Sequence, residues 1–374
     1  MKVLGFMTGT SLDAVDMAVL DTDGEDILGL GPAGEMKLDA ETRMVIEDAI
    51  ADALEWERGE YEPESFDDAR EAVADAHLAA AFSFMAANGI KARDFDLVGV
   101  HGQTVLHEAP NGPKAVAGVG RTLQLIDAQA VADELGLPVA HDFRSDDVAA
   151  GGQGAPLAPI YHAALARWSG LAAPVAVMNL GGVGNITLIR SDGALEAFDT
   201  GPANGMIDLL VQARTKARLD VDGALAKAGT VDEAVLAAYL SHPYFAATGP
   251  KSLDRFDFSL EPVAGLSLED AAATLTAFAA QSVALGIARC GERPTKVVAC
   301  GGGRHNPVLL GAIRDRAGVP VTTAENEGWR GDSIEAEAFA YLATRTKLGL
   351  PISFPGTTGV AAPMTGGRIV EPEF

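Results

Sequence analysis

Thr8, Thr10 and Ser11 stand around Gly9 in a short polar run ending at Leu12-Asp13, between strand-like Val3 to Met7 and Met17 to Leu20. Consecutive N–H groups and hydroxyls in such a turn make a concavity that suits an anion. Asp13 and Asp16 lie beside it, and a carboxylate next to a phosphate makes chemical sense only with a cation between them. Mg2+, which keeps part of its water shell, fits that place. No G-x-x-x-x-G-K-[ST] occurs here and a strand, not a helix, follows, so this is no Walker loop. A polar hairpin tip accounts for the residues almost as well when the loop is taken alone.

Two more glycine turns follow strands. Val175 to Leu180 leads into Gly181-Gly182-Val183-Gly184-Asn185, and Lys296 to Cys300 leads into Gly301-Gly302-Gly303, Arg304-His305-Asn306-Pro307 and helical Val308-Leu309-Leu310. Absence of Cβ lets a backbone approach a flat base or ribose. The second half repeats the plan of the first: strand, glycine loop, strand, Asp-Gly turn. The repeat predicts two related units with a nucleotide in the cleft between them. None of the turns supplies G-x-G-x-x-G opening a helix with an acidic residue about twenty positions on, so a dinucleotide fold is set aside.

The elements that must hold these turns alternate between strand and helix, which predicts an α/β protein. Helical periodicity covers about 41–54, 66–85, 123–135, 157–168 and 333–344, and Leu97 to Val100 reads as a buried strand ending in His101-Gly102-Gln103-Thr104. The end from Pro351, rich in Gly, Pro and Thr, reads as irregular. At 374 residues the length suits two domains, expected at 1–140 and 141–344, with about 345–374 packing back on the first.

Composition excludes several partners. With 52 acidic and 28 basic side chains the formal net charge is -24, which repels nucleic-acid backbones and anionic lipid. Cys290 and Cys300 are the only cysteines, too few for a disulfide scaffold or a thiolate metal site. No signal peptide or membrane-spanning run is visible in the sequence, and the expected location is cytoplasmic.

Read in order, GTSLDAVD at 9–16, VGVHGQT at 98–104, DFRSDDVAAGGQGAPL at 142–157, NLGGVGN at 179–185, FDTGPANGMID at 198–208 and GGGRHN at 301–306 resemble the anhydro-N-acetylmuramic acid kinases. That family belongs to the actin-like, sugar-kinase and heat-shock ATPase superfamily. The resemblance implies a two-domain actin-like ATPase with the ribonuclease H-like fold and the nucleotide in an interdomain cleft. It implies an enzyme that uses water to open the 1,6-anhydro ring of 1,6-anhydro-N-acetylmuramic acid and phosphorylates O6 with ATP and Mg2+, in cell-wall recycling. Ala14 departs from the glycine the family more often carries, so a left-handed backbone is not expected there.

For ATP the resemblance points to Gly9, Thr10, Ser11, Leu12, Asp13, Ala14, Val15 and Asp16, with Asn179, Gly181, Gly182, Asp199, Gly302, Gly303 and Asn306. Asp13 is the expected metal-facing residue, through water. The resemblance makes Asp147 the base that activates water, although spacing alone leaves Asp142, Asp146 and Asp147 nearly equivalent. Arg144 suits the lactyl carboxylate in a two-pronged fashion, with a surface salt bridge as the rival reading. His101, Gln103, Thr104 and Gln153 are the further sugar candidates, His101 being otherwise a core histidine. Glu335 is another, although Asp332 and Glu335 also fit an ordinary helix capping box. Asp199-Thr200 faces the nucleotide, or forms a turn stiffened by Pro202. The expected partners are the amino sugar and water, no nucleic acid and no membrane, with a homodimer left open. A kinase for another sugar, or an actin-like ATPase switch, would use the same phosphate hairpins.

Overall fold

A computed structural model describes every residue except 109, 111–117, 119, 247–252, 254–257 and 374. In chain order the first elements are β1 (Lys2–Thr8), β2 (Ala14–Thr22), β3 (Ile27–Lys37), α1 (Ala40–Glu55), α2 (Glu64–Asn88), β4 (Leu97–Val100), β5 (Gln103–Glu108), β6 (Arg121–Leu125), α3 (Ala128–Leu135), β7 (Val139–His141), α4 (Ser145–Ala149) and α5 (Pro159–Trp168). There follow β8 (Val175–Leu180), β9 (Val183–Ile189), β10 (Leu195–Pro202), α6 (Asn204–Arg214), α7 (Ala224–Ala228), α8 (Glu233–Leu240), α9 (Leu268–Arg289), β11 (Lys296–Cys300), α10 (Pro307–Ala317), β12 (Val321–Thr323), α11 (Ile334–Lys347) and β13 (Arg368–Val370).

The backbone forms two compact units, one of residues 1–168 with 333–374 and one of residues 169–332. The segments 141–168 and 333–344, beyond the boundaries expected from sequence, pack in the first unit. In that unit the sheet runs β13-β7-β4-β1-β2-β3. β1, β2 and β3 are antiparallel neighbours, β1, β4 and β7 are parallel, and β13 closes the edge antiparallel to β7. The second unit repeats the plan as β10-β9-β8-β11-β12, its first three strands antiparallel and its last two joined in parallel. This shared order is the ribonuclease H-like arrangement of actin-like ATPases, and it turns the suspected sequence repeat into a structural one.

Sequence position alone would not place α11 in the first unit; two glycines explain its seat. Gly5 and Gly99 are register partners on β1 and β4. A Cβ on Gly5 would lie 2.7 Å from Ala340 N, and one on Gly99 2.8 Å from the Ala343 Cβ, so helix α11 rests directly on the bare sheet. Gly99→Ala should therefore lower stability by about 2 kcal/mol, the usual cost of overpacking, readable as a shift in urea midpoint. An unchanged midpoint would mean that the helix can move away at no cost. On the opposite face, Val73, Ala80, Phe84 and Val131 pack against Phe6, Val19 and Val98.

Several expectations change. The span 123–135 is not one helix: Leu123 to Leu125 belongs to β6, and α3 starts only after its cap Asp127, whose side chain accepts from Ala130 N. Asp199 to Pro202 is no turn but the end of β10, with a bulge between Asp199 and Gly201. The tail is irregular apart from β13 and a bridge between Ser353 and Met364. Helix α9 is long and apolar enough to cross a bilayer, the only such helix among the described residues, but 83% of its apolar window is buried inside the protein, as befits a core helix.

Candidate active site

In the first unit the glycine loop joins β1 to β2. Leu12 N donates to Gly9 O, closing a turn, and Leu12 holds φ 55° while its side chain sits in the core. A left-handed leucine is strained, and burial of its side chain against the sheet keeps it there. Thr10, Ser11 and Asp13 are left exposed on the loop. Ala14 opens β2 opposite Lys37 in ordinary extended pairing, so the residue that replaces the family's glycine bears no left-handed backbone.

Of the sugar-side residues expected from sequence, His101 and Arg144 meet at the ends of β4 and β7. Thr8 Oγ1 donates to Gly102 O at 3.1 Å, tying the glycine loop to the His101-Gly102 bend. Arg144 Nε donates to His101 Nε2 at 2.9 Å, and its Nη1 donates to Gly154 O at 2.7 Å. The guanidinium also lies 5.9 Å over the Phe339 ring. Burial pulls the Arg144 pKa down to about 10, opposed by the charges of Glu335 and Asp147, so the group stays cationic at neutral pH. Burial, then the adjacent Arg144 charge, hold His101 well below its ordinary value. With Nε2 accepting from arginine, its proton belongs on Nδ1. That Nδ1 and Gln103 Oε1 are buried without a hydrogen-bond partner. Thr104 Oγ1 accepts from Gln124 Nε2.

The three neighbouring aspartates separate. Asp146 makes a two-pronged ion pair with Arg368 at 2.6 Å on each arm. Asp142 has φ 51° and accepts from the Ser145 hydroxyl. Asp147 is 2% exposed, its Oδ1 accepting from Gly154 N at 2.6 Å and its Oδ2 from Thr358 Oγ1 at 2.5 Å. Gln153 joins the same knot through its backbone, its N–H donating to Thr358 O at 2.7 Å. Thr358, which sequence reasoning did not pick out, lies 211 residues from Asp147, and nothing in its local pattern marks it.

The capping box at α11 is absent. Ser333 takes the cap position without a side-chain bond, and Asp332 instead accepts from Arg304 Nη2 at 2.7 Å. Glu335, in the first turn of α11, is exposed.

In the second unit the glycine turns are largely occupied by the protein itself. Ala203 and Gly205 N–H groups donate to Gly182 O, Asn204 N donates to Gly181 O, and Asn204 Nδ2 donates to Leu180 O. A Cβ on Gly303 would meet Asn204 Nδ2 and Leu180 Cβ at 2.6 Å, and one on Gly301 would overlap Asn179 Oδ1. Those glycines admit protein neighbours, whereas Gly302 faces open space. Asn306 caps α10, Oδ1 accepting from Val308 and Leu309 N–H at 3.1 Å. Arg304 is buried and fixed by Glu325, Asp332 and Gly301 O. Asp199 Oδ2 accepts from Leu253 N and its carbonyl from Tyr244 OH.

Asp208, in the motif that follows, has its pKa pushed up to about 6, by burial first and then by Asp220. Between the ordinary carboxylate value and that one, the folded state keeps a proton the unfolded chain has lost, so this group's contribution falls as pH rises. Asp208→Asn should stabilise the protein by about 1 kcal/mol above pH 6, allowing for partial exposure, and by nothing near pH 4. Paired thermal melts at the two pH values check this; an equal gain at both would remove ionisation as the cause.

No group of three His, Cys, Asp or Glu side chains able to cage a metal occurs among the described residues. Mg2+ in phosphate chemistry takes one or two carboxylates and the rest from phosphate and water, so exposed Asp13 beside the hydroxyl-bearing loop fits that ion.

The anhydro-N-acetylmuramic acid kinase family model matches residues 1–372. The anhydro-N-acetylmuramic acid kinase of Caulobacter vibrioides is 65% identical over 99% of both chains. That of Phenylobacterium zucineum is 62% identical over the full length of both. Among solved structures, component A of the (R)-2-hydroxyglutaryl-CoA dehydratase from Acidaminococcus fermentans is similar at 14% identity and a TM-score of 0.46, over 92% of this chain and 99% of that one. A whole-length family match, and identity of this order across both chains, establish that this chain belongs to the anhydro-N-acetylmuramic acid kinase family.

Proposed function

We propose that the enzyme opens the 1,6-anhydro ring of 1,6-anhydro-N-acetylmuramic acid with water and transfers the γ-phosphoryl group of ATP to O6, giving N-acetylmuramic acid 6-phosphate and ADP. The observation that carries the sugar side is the buried chain from Thr358 through Asp147, Gly154 and Arg144 to His101. It holds a cation and unpartnered polar atoms of His101 and Gln103 at the ends of the parallel strands, where open α/β sheets bind ligands.

In this reading Arg144, with two of its five donors used inside the protein, offers the rest to the lactyl carboxylate. His101 stays neutral and keeps the guanidinium oriented. Gln103, Thr104, Gln153 and Glu335 face sugar hydroxyl and amide groups. Water attacks the anomeric carbon, the bond from that carbon to O6 breaks, O6 takes the phosphoryl group, and the water proton passes to a carboxylate. Asp147 is our base: each oxygen holds one donor and keeps a second acceptor site. A second reading gives the proton to Glu335, because it is exposed whereas Asp147 is nearly closed to solvent. The loop Gly9 to Asp16 receives the phosphates on its N–H groups and hydroxyls, with Mg2+ supplied through Asp13 to neutralise charge. The exposed backbones of Gly182 and Gly302 are our nucleotide contacts in the second unit.

Mass spectrometry after incubation with ATP, Mg2+ and the anhydro sugar in 18O water tests this. The product should gain one phosphate and one water, with 18O at the anomeric hydroxyl. Phosphorylation without ring opening would indicate another sugar acceptor, and ADP formation independent of sugar would indicate an ATPase switch.

A further inference from the structure

The C-terminal segment after α11 crosses the first unit as a strap. Phe354 O accepts from Thr357 and Thr358 N–H groups at 3.0 and 3.1 Å, curling the strap into a tight turn that buries Thr358 completely. From that turn Thr358 makes two bonds in two directions. Its hydroxyl donates to Asp147 Oδ2, and its carbonyl accepts from Gln153 N. Asp147 passes the restraint on to Gly154 N, and the Gly154 carbonyl receives Arg144. Gly152 permits this closure. A Cβ there would lie 2.6 Å from both Asp147 Cγ and Val360 Cγ1, so the strap and the aspartate close on the turn only because it is bare.

We propose that Thr358 is a positioning residue for the sugar site, acting through Asp147 and the Gly151 to Gly154 turn on Arg144 and Gln153. The proposal rests on the sugar-side reading above but not on which carboxylate is the base. The hydroxyl's role is directional. With Gly154 N already donating to Oδ1, a donor on Oδ2 fixes the rotation of the carboxylate plane and hence the height of the Gly154 carbonyl that Arg144 grips. A valine keeps the shape of the strap and deletes the donor, leaving a buried carboxylate oxygen unsatisfied. A guanidinium displaced by a fraction of an ångström binds its carboxylate less well in ground state and transition state alike, so the loss should appear in KM.

Steady-state kinetics on the full chain, with ATP and the anhydro sugar varied separately, test this for Thr358→Val and Thr358→Ser. Valine should raise the sugar KM by about tenfold, the value of one buried hydrogen bond to a charged group. The ATP KM should stay within about twofold, and serine should restore the sugar KM to within about threefold of the parent. An unmoved sugar KM in the valine variant overturns the proposal, whether its melting temperature falls or not. A loss confined to kcat overturns it too, as does a serine variant as impaired as valine. If valine does not fold, serine against Thr358→Ala makes the same comparison. Arg144→Met, assayed alongside, separates the two levels of inference. A normal sugar KM in that variant removes the sugar-side reading itself, whereas a raised one beside a normal Thr358→Val removes only the role of Thr358.

Discussion

Asp147→Asn is expected to cut turnover by about 100-fold to 10,000-fold while the anhydro sugar and ATP still bind. The substitution separates charge from geometry unusually well at this position. An asparagine oxygen can still accept from Gly154 N, and its amide can donate to the Thr358 hydroxyl, which reverses its own direction, so both bonds of the brace can re-form. What disappears is the negative charge and the ability to take a proton from water. Calorimetry with the sugar, and with ATP, should give dissociation constants within about tenfold of the parent, beside an ADP-release assay that reads the loss. Glu335→Gln is the companion. As a sugar contact it should raise the sugar KM and leave more than a tenth of turnover. A nearly active Asp147→Asn beside an inactive Glu335→Gln would pass the base to Glu335 and leave Asp147 as the brace alone.

The parts of the fold legible in the sequence were those set by local rules. A polar glycine tip between two apolar runs signals a hairpin wherever it occurs, and both hairpins are present. The third strand of each sheet went unread. β3, ILGLGPAGEMK, carries three glycines and a proline, and only its pairing with β2 makes it a strand. β10 ends in Asp-Thr-Gly-Pro, turn chemistry by composition, yet pairing with β9 holds it extended. Helix α9 is apolar on nearly every face, so it shows no amphipathic period and takes its place from burial. The same division applies to the site. The loop 9–16 and the DFRSDD segment announce themselves, but the pairing of Arg144 with His101 spans 43 residues and that of Thr358 with Asp147 spans 211. Such contacts are set by β4, β7 and the C-terminal strap meeting in space. The glycines of GGGRHN are legible as special, but that Gly301 and Gly303 make room for Asn179 and Asn204 while Gly302 faces open space is set by residues about a hundred positions or more away.

The first unit should also lose stability steeply in mild acid, because it buries three histidines in their neutral form. His77, 1% exposed with its Nδ1 on Val73 O, and His162, 4% exposed, are each pushed down to about 4 by burial, and His101 is driven well below its ordinary value. In the unfolded chain all three titrate near 6.5. As pH falls below that value the unfolded chain binds protons that the folded unit refuses, so stability is complete above about pH 6.5 and drains away toward pH 4. Each of His77 and His162 accounts for about 3 kcal/mol over that window, together a large part of the 5–15 kcal/mol that holds an ordinary domain folded. The histidines described in the second unit, His242 and His305, are exposed. Hydrogen exchange at pH 7 and pH 5 should therefore show β1 and β4 opening with the drop while β8 and β11 stay protected. His77→Gln, uncharged at every pH and able to donate to the same carbonyl, should flatten the dependence of the urea midpoint on pH over that window. A midpoint equally steep with and without His77 would mean that the acid sensitivity has another source.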